Sequence, residues 1–315
     1  DPLSPLKTTS TKGMATKRKA SKAAAPVSRS LNRTRHWSWD GRAITPFHGG
    51  VPLTDRGFRY GQHVFESIAV RNGNPLLVRE HLALLAASAS SKGIPLSRTL
   101  VAAVRRFFSA LPALALPDGM LRLYLTAGHG APASAVNAPA CFLAWERTDF
   151  PSLSRLAKGL ELHLLMQPIS GETWGEKSGN YEAHIRALES ARSAGADEAI
   201  VSDAKGCVLS CAMGNLLVWM PLRSGAILCT PPSSTGASAG ARAGAVLEWV
   251  RCHTKVEERE LKPRDLLRAV GMAVTNSRLG VMPVAGVDGS KLSDPSPALQ
   301  LSQEYLRSHG LLRQP

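Results

Sequence analysis

Lys177-Ser178-Gly179-Asn180-Tyr181 is the stretch of this chain whose residue types best suit covalent chemistry. A lysine in a glycine-containing turn between a strand and a helix presents its amine to a cleft. With a pKa lowered by burial, such an amine forms a Schiff base with a carbonyl compound and afterwards carries a proton. On spacing alone, a solvated surface charge is the plain alternative. Other chemical signatures are missing. The chain has no G-x-x-x-x-G-K-[ST] phosphate loop, no G-x-G-x-x-G between a strand and a helix and no H-E-x-x-H. The nine histidines are scattered; His63 and His81 read as satisfied or surface residues, and no metal site is expected. Five cysteines with no C-x-x-C pair indicate free thiols in a reducing compartment.

Several elements must position that lysine. Arg42–Thr45 reads as a short strand, Asp55–Tyr60 as a turn, and Val64–Arg71 as a strand. Asn72-Gly73 marks a hairpin leading to Leu76–Val78, because both residues tolerate positive φ. Helices are expected over His81–Ser91 and Arg98–Leu111, with strands at Leu121–Thr126 and Cys141–Trp145. Pro151–Lys158 reads as a linker. A strand at Leu160–Gln167 and a helix over Tyr181–Ala194 then flank Lys177. Strands follow at Glu198–Asp203, Cys207–Ser210, Leu216–Met220 and Ile227–Thr230. A Gly/Ser/Ala loop at Ser233–Gly244 precedes a helix to Arg251. Val256–Leu261 is extended, Arg264–Val270 a short helix and Met272–Thr275 a strand.

The composition is that of a globular chain, with 44% hydrophobic and 20% charged residues in 315. No apolar run reaches the length of a membrane span. The net charge of +14 is uneven: residues 1–36 carry nine Lys/Arg and one acid, so most of the excess belongs to the tail. A nucleic-acid-binding body is therefore not indicated. The reading is a disordered basic tail over 1–36, with order beginning near Trp37. A small α+β domain at 37–150, a larger cofactor-binding domain at 151–305 and a C-terminal tail at 306–315 follow. A cytoplasmic location is the default, and organelle targeting through the tail is the alternative.

An ordered series of segments resembles the fold-type IV pyridoxal-phosphate enzymes, which include the class IV aminotransferases and aminodeoxychorismate lyase. Leu53-Thr54-Asp55-Arg56-Gly57-Phe58-Arg59-Tyr60-Gly61 with Val64-Phe65-Glu66-Ser67 is similar to their opening "DRGFxYGDGVFET". Arg79-Glu80-His81-Leu82, Lys177–Tyr181 ("K-S-x-N-Y"), Gly195-Ala196-Asp197-Glu198-Ala199, Gly206, Val208, Asn215 and Leu216 continue it. Thr230-Pro231-Pro232, Val256-Glu257-Glu258-Arg259, Thr275-Asn276-Ser277 and Pro283-Val284 extend it over roughly residues 40–292.

The resemblance implies a two-domain α+β fold like that of D-amino-acid aminotransferase, pyridoxal 5'-phosphate as cofactor, and a homodimer with the site near the subunit interface. Lys177 is then the Schiff-base lysine and proton carrier. Tyr181 stands against the cofactor phenolate oxygen, with a core-facing aromatic as the alternative. Ser277 reaches the phosphate with Asn276 beside it, and Asn215 falls in the cofactor-ring segment. Tyr60, Phe65 and Arg122 line the substrate side, with packing or surface roles left open.

Three positions depart from the pattern. Ser210 replaces the glutamate that pairs with the pyridine nitrogen, which weakens the electron sink. Leu84 replaces the arginine of "HLxRL". The "GITR" phosphate turn is blurred within 236–247, where Gly240-Ala241-Arg242 or Gly244-Ala245-Val246 could occupy it; in the first register Arg242 would restore the phosphate charge. The implied function is an aminodeoxychorismate-lyase-like reaction on an amino-chorismate substrate, in which Lys177 removes the α-proton and pyruvate leaves with 4-aminobenzoate. Branched-chain or D-amino-acid transamination is one alternative, and a non-catalytic scaffold is another.

Overall fold

Alternation of apolar and polar residues builds the first sheet. The computed structural model describes residues 34–165, 167–169, 174–232, 241–252 and 254–312. Six strands, β1 (Thr34–Trp39), β2 (Ile44–Pro46), β3 (His63–Arg71), β4 (Asn74–Pro75), β5 (Gly119–Thr126) and β6 (Ala140–Arg147), pair in the order β2-β1-β6-β5-β3-β4. All these pairings are antiparallel. Val64, Ile68, Leu121, Leu123 and Leu143 are buried against helices α2 (Val78–Ser91) and α3 (Arg98–Ala110). The expected hairpin is present: Asn72 and Gly73 have φ of 48° and 78°.

Four local expectations differ from the structure, each for an identifiable reason. Asp55–Tyr60 is not a bare turn. The Asp55 carboxylate accepts from the amides of Gly57 and Phe58 and so caps a one-turn helix, α1 (Arg56–Tyr60). Leu76–Val78 is not a strand: β4 ends at Pro75, and Leu77, at φ 54°, turns the chain into α2. Within the expected linker, the Ser152 hydroxyl caps a helix, α4 (Leu153–Lys158). Order also begins earlier than Trp37, because β1 pairs with β6 from Thr34 onward.

The second sheet comprises β7 (Leu160–Leu164), β8 (Glu198–Ser202), β9 (Val208–Cys211), β10 (Asn215–Pro221), β11 (Ala226–Thr230), β12 (Val256–Glu258), β13 (Gly271–Asn276), β14 (Gly280–Val287) and β15 (Ser290–Lys291). Its order is β12-β11-β10-β13-β14-β7-β8-β9, with β15 on β14. The central strands are continuous apolar runs, as burial on both faces requires. Helices α5 (Glu182–Ser193), α6 (Ala241–Arg251), α7 (Pro263–Leu266) and α8 (Ser296–Ser308) complete the body. β14, β15 and α8 lie beyond the last element read from the sequence. Helix α8 runs to Ser308 and Leu311 is buried, so the chain stays packed into the segment expected to be a tail.

The segment carrying Lys177 leaves the second half of the chain and joins the first sheet. The Phe65 amide donates to the Lys177 carbonyl (3.0 Å), and the Gly179 amide donates to the His63 carbonyl (3.1 Å). Residues 177–179 thus add to the edge of β3, where a bridge pairs Val64 with Ser178. The approach is close: a Cβ on Gly179 would fall 2.2 Å from the Gly61 carbonyl oxygen. Glycine is required there by space. Among the described residues, no helix is long and apolar enough to cross a membrane.

Candidate functional site

The strand register of β3 puts an acid on its apolar face. Val64, Glu66 and Ile68 point the same way, and all three are buried. Burial alone would raise the Glu66 carboxyl. It is instead held below its ordinary value, because the His81 hydrogen bond and the Lys177 charge outweigh that cost. The Lys177 Nζ donates to Glu66 Oε2 at 2.9 Å, and the His81 Nδ1–H donates to the same oxygen at 2.7 Å. One buried carboxylate therefore anchors both an imidazole from α2 and the amine.

Lys177 opens onto a cavity of about 970 Å³. One wall carries Phe65 and Tyr181, whose rings meet edge-on at 5.1 Å. His184 lies flat between Tyr181 (4.2 Å) and Trp174 (3.7 Å), forming a three-ring stack beside the amine. Its Nδ1–H donates to the Ala212 carbonyl at 2.7 Å, and burial lowers its pKa, so the ring stays neutral. Burial, and after it the Glu198 charge, raises the Tyr181 phenol to about 12. Tyr181 therefore faces the cavity as a protonated hydroxyl.

Lys177, Tyr181, Ser210, Asn215, Asn276, Ser277, Phe65 and Arg122 all line this one cavity. Ser210 is already committed: it accepts from the Trp174 indole N–H at 2.7 Å and donates to the Cys211 carbonyl at 2.9 Å. Asn276 is spent on its own turn. Its Nδ2 donates to the Met213 carbonyl, and its Oδ1 accepts from the amides of Arg278 and Leu279. Arg122 donates to the Ser67 hydroxyl at 3.3 Å on the β5 wall. Tyr60 does not join the group; the residue is 42% exposed, with the Arg59 guanidinium over its ring. Helix α6 includes position 242, but the Arg242 side chain lies outside the described residues, as does most of the blurred phosphate turn.

Glu66, His81, Trp174, Glu198 and Arg278 belong to the site without having been singled out as site residues from the sequence. Glu66 had a readable signal, an acid on the apolar face of an alternating strand. Glu198 is buried near Tyr181, and burial pushes its carboxyl to about 7 despite amide donors from Ala199 and Met213.

A primary amine on the wall, flanking aromatics, and a turn carrying a hydroxyl and a guanidinium fit a carbonyl cofactor with an anionic group. Pyridoxal phosphate is such a group, and in this cavity it would lie within reach of Lys177, Tyr181 and Ser277. Among the described residues, no group of three or more His, Cys, Asp or Glu is placed to hold a metal ion.

Comparison with known proteins agrees with this chemistry. Residues 63–287 match the family model described as amino-transferase class IV. A putative branched-chain-amino-acid aminotransferase of Methanocaldococcus jannaschii is 25% identical over 261 residues, covering 81% of this chain and 88% of the relative. Among solved structures, 4-amino-4-deoxychorismate lyase from Pseudomonas aeruginosa superposes with a TM-score of 0.74 at 24% identity, over 87% of this chain and 98% of that one. A hypothetical aminotransferase from Mycobacterium tuberculosis, in its PLP-bound form, gives 0.74 at 22% identity over 88% and 98%. At these identities the solved structures establish the shared α+β fold.

Proposed function

We propose, from the premise that this chain belongs to the class IV aminotransferase family, that it is a pyridoxal-phosphate enzyme of the aminodeoxychorismate-lyase type. In that reaction the α-proton of an amino-chorismate substrate is removed, and pyruvate leaves with 4-aminobenzoate. The observation that carries the reading is the Lys177 amine on the cavity wall, 2.9 Å from the buried Glu66 carboxylate.

Bound pyridoxal phosphate supplies the electron sink that acidifies the α-carbon. Lys177 takes the proton at Nζ, and Glu66 stabilises the resulting ammonium. His81 holds the Glu66 carboxylate in place through the oxygen that it shares with Lys177. Tyr181 offers a hydroxyl that stays protonated through neutral pH, and Phe65 and Trp174 keep water from that wall.

Ser210 bears on the choice between elimination and transamination. At the position where a carboxylate would strengthen the sink, this chain has a neutral hydroxyl whose proton is already given to Cys211. With the cofactor bound, a neutral hydroxyl there would stabilise a carbanion less than a carboxylate, which would suit a substrate that carries a β-leaving group. The second reading is amino-acid transamination, supported by the branched-chain-aminotransferase relatives.

Product analysis separates the two readings. Aminodeoxychorismate should yield pyruvate and 4-aminobenzoate, and Lys177→Ala should abolish both this turnover and the near-visible cofactor band. A keto acid formed from an amino donor, with no 4-aminobenzoate, would establish the transaminase. Absence of both products at saturating cofactor would sink the enzymatic assignment.

A homodimer belongs to the same reading. Leu53 (76% exposed), Phe58 (64%) and Tyr60 leave apolar surface exposed on the segment that leads into β3 and the cavity. A second copy of the chain covers it. Phe58→Glu should convert a sedimenting dimer to monomer; a parent that sediments as a monomer would refute this.

A further inference from the structure

We propose that Cys207 and Lys262 form a redox-sensitive cross-link, in which a Cys207 sulfur oxidised by peroxide is captured by the Lys262 amine. Neither residue lines the cavity, and the inference does not depend on what that cavity binds.

Two segments bring the groups together. Asp203 Oδ1 accepts from the amides of Lys205 (2.9 Å) and Cys207 (2.7 Å), which fixes the turn leading into β9. The Val208 amide donates to the Leu261 carbonyl at 2.8 Å, so the segment before α7 runs beside the start of β9. Lys262 reaches across: its Nζ donates to the Lys205 carbonyl (2.8 Å) and to Cys207 Sγ (3.1 Å). Glu260 Oε2 lies 3.7 Å from the same sulfur. Cys207 is buried, whereas Lys262 is half-buried and Glu260 exposed. On that side the sulfur is separated from solvent by the two side chains that touch it.

The other cysteines lack this arrangement. Burial raises the Cys141 thiol to about 12 and raises Cys211 and Cys229 as well, so these three stay protonated. Cys252 is exposed, and its thiol donates to the Glu248 carbonyl at 3.3 Å. Among the described residues, no amine donates to any of these four sulfurs.

A sulfenic acid condenses with a neighbouring thiol or nitrogen. Peroxide first transfers one oxygen to the Cys207 sulfur. The S–O bond forms, the O–O bond breaks, and water leaves as the sulfur gives up two electrons. The Lys262 amine, its ammonium having released one proton to solvent, then attacks the sulfur. The N–S bond forms and the S–O bond breaks. The oxygen departs as a second water, with its own proton and one from the nitrogen. The product is two hydrogen atoms lighter than the separate residues, and thiol reductants reopen it. It joins positions 55 residues apart and so restricts the unfolded chain as a disulfide would.

The test treats the full chain with a small excess of hydrogen peroxide, then combines peptide mass mapping without reductant with thermal unfolding. A Cys207–Lys262 linked peptide, lighter by two hydrogen atoms, is expected. The unfolding midpoint should rise by about 5–10 °C, and dithiothreitol should reverse both changes. Lys262→Arg keeps a cation but replaces the amine with a guanidinium that does not deprotonate. That variant should stop at a Cys207 sulfenic acid, trapped by dimedone, with no link and no rise in midpoint. Cys207→Ser should show neither the link nor the rise. A parent whose Cys207 stays unmodified, is oxidised without the link, or forms a link that retains oxygen would overturn the proposal. An equal rise in midpoint for Lys262→Arg would also overturn it.

Discussion

The Trp174 indole N–H and the Ser210 hydroxyl meet at 2.7 Å in the buried wall of the cavity, 36 residues apart in sequence. Ser210 passes its own proton to the Cys211 carbonyl. The hydroxyl therefore keeps one free lone pair and no free proton. A group approaching from the cavity meets an acceptor there, in a place where a serine drawn in isolation would offer a donor.

Removing that hydroxyl leaves a buried indole N–H unpaired. Ser210→Ala should lower unfolding free energy by about 1–3 kcal/mol in urea titrations. Trp174→Phe in the same background should add little further loss of polar pairing, because the orphaned donor goes with it. Equal and additive losses in the two single variants would contradict the pairing.

Glu66 makes a pH-dependent contribution whose sign follows from its depressed pKa. A carboxyl held below its unfolded value stabilises the fold above the ordinary 4.5, and that stability is lost as pH falls through the folded value. The urea midpoint of the parent should therefore drop faster below pH 4.5 than that of Glu66→Gln. At pH 7, Glu66→Ala should cost about 3 kcal/mol, the low end for breaking a buried pair, since the Lys177 amine faces the cavity. Parallel pH curves for parent and Glu66→Gln would exclude this contribution.

Glu198 works in the opposite direction. Its carboxyl is raised to about 7, so the folded state binds a proton that the unfolded chain releases above 4.5. Stability is fullest below 4.5, declines as pH rises toward 7 and is level beyond it. Glu198→Gln should flatten that decline, which amounts to about 3 kcal/mol at most. Chemical denaturation at pH 5 and pH 8 checks it: a variant as pH-sensitive as the parent would show that Glu198 does not titrate in this window.

Much of the site was legible in the sequence because it travels in short, ordered segments. Lys177, Tyr181, Ser210 and Ser277 all reach the same cavity, and the Asn72-Gly73 hairpin appears with both φ angles positive. What stayed hidden depends on contacts between distant residues. Nothing near Trp174 points to Ser210, and nothing near Lys177 points to Glu66, 111 residues earlier. β14 was missed for a local reason. Gly280, Pro283 and Gly286 interrupt it, and such residues read as strand breakers. The structure accommodates them with a register shift between Val284 and Gly286 where β14 meets β7. The Asp55 turn and the expected linker were misread because their side-chain caps turn short polar segments into helices.

The attachment of residues 177–179 to the edge of β3 makes the site a product of assembly. Lys177 and Glu66 lie 111 residues apart, and the amine meets its carboxylate only where the two sheets are joined. A chain with this junction open would lack the Lys177–Glu66 ion pair, the Val64–Ser178 bridge and the edge-on contact of Phe65 with Tyr181.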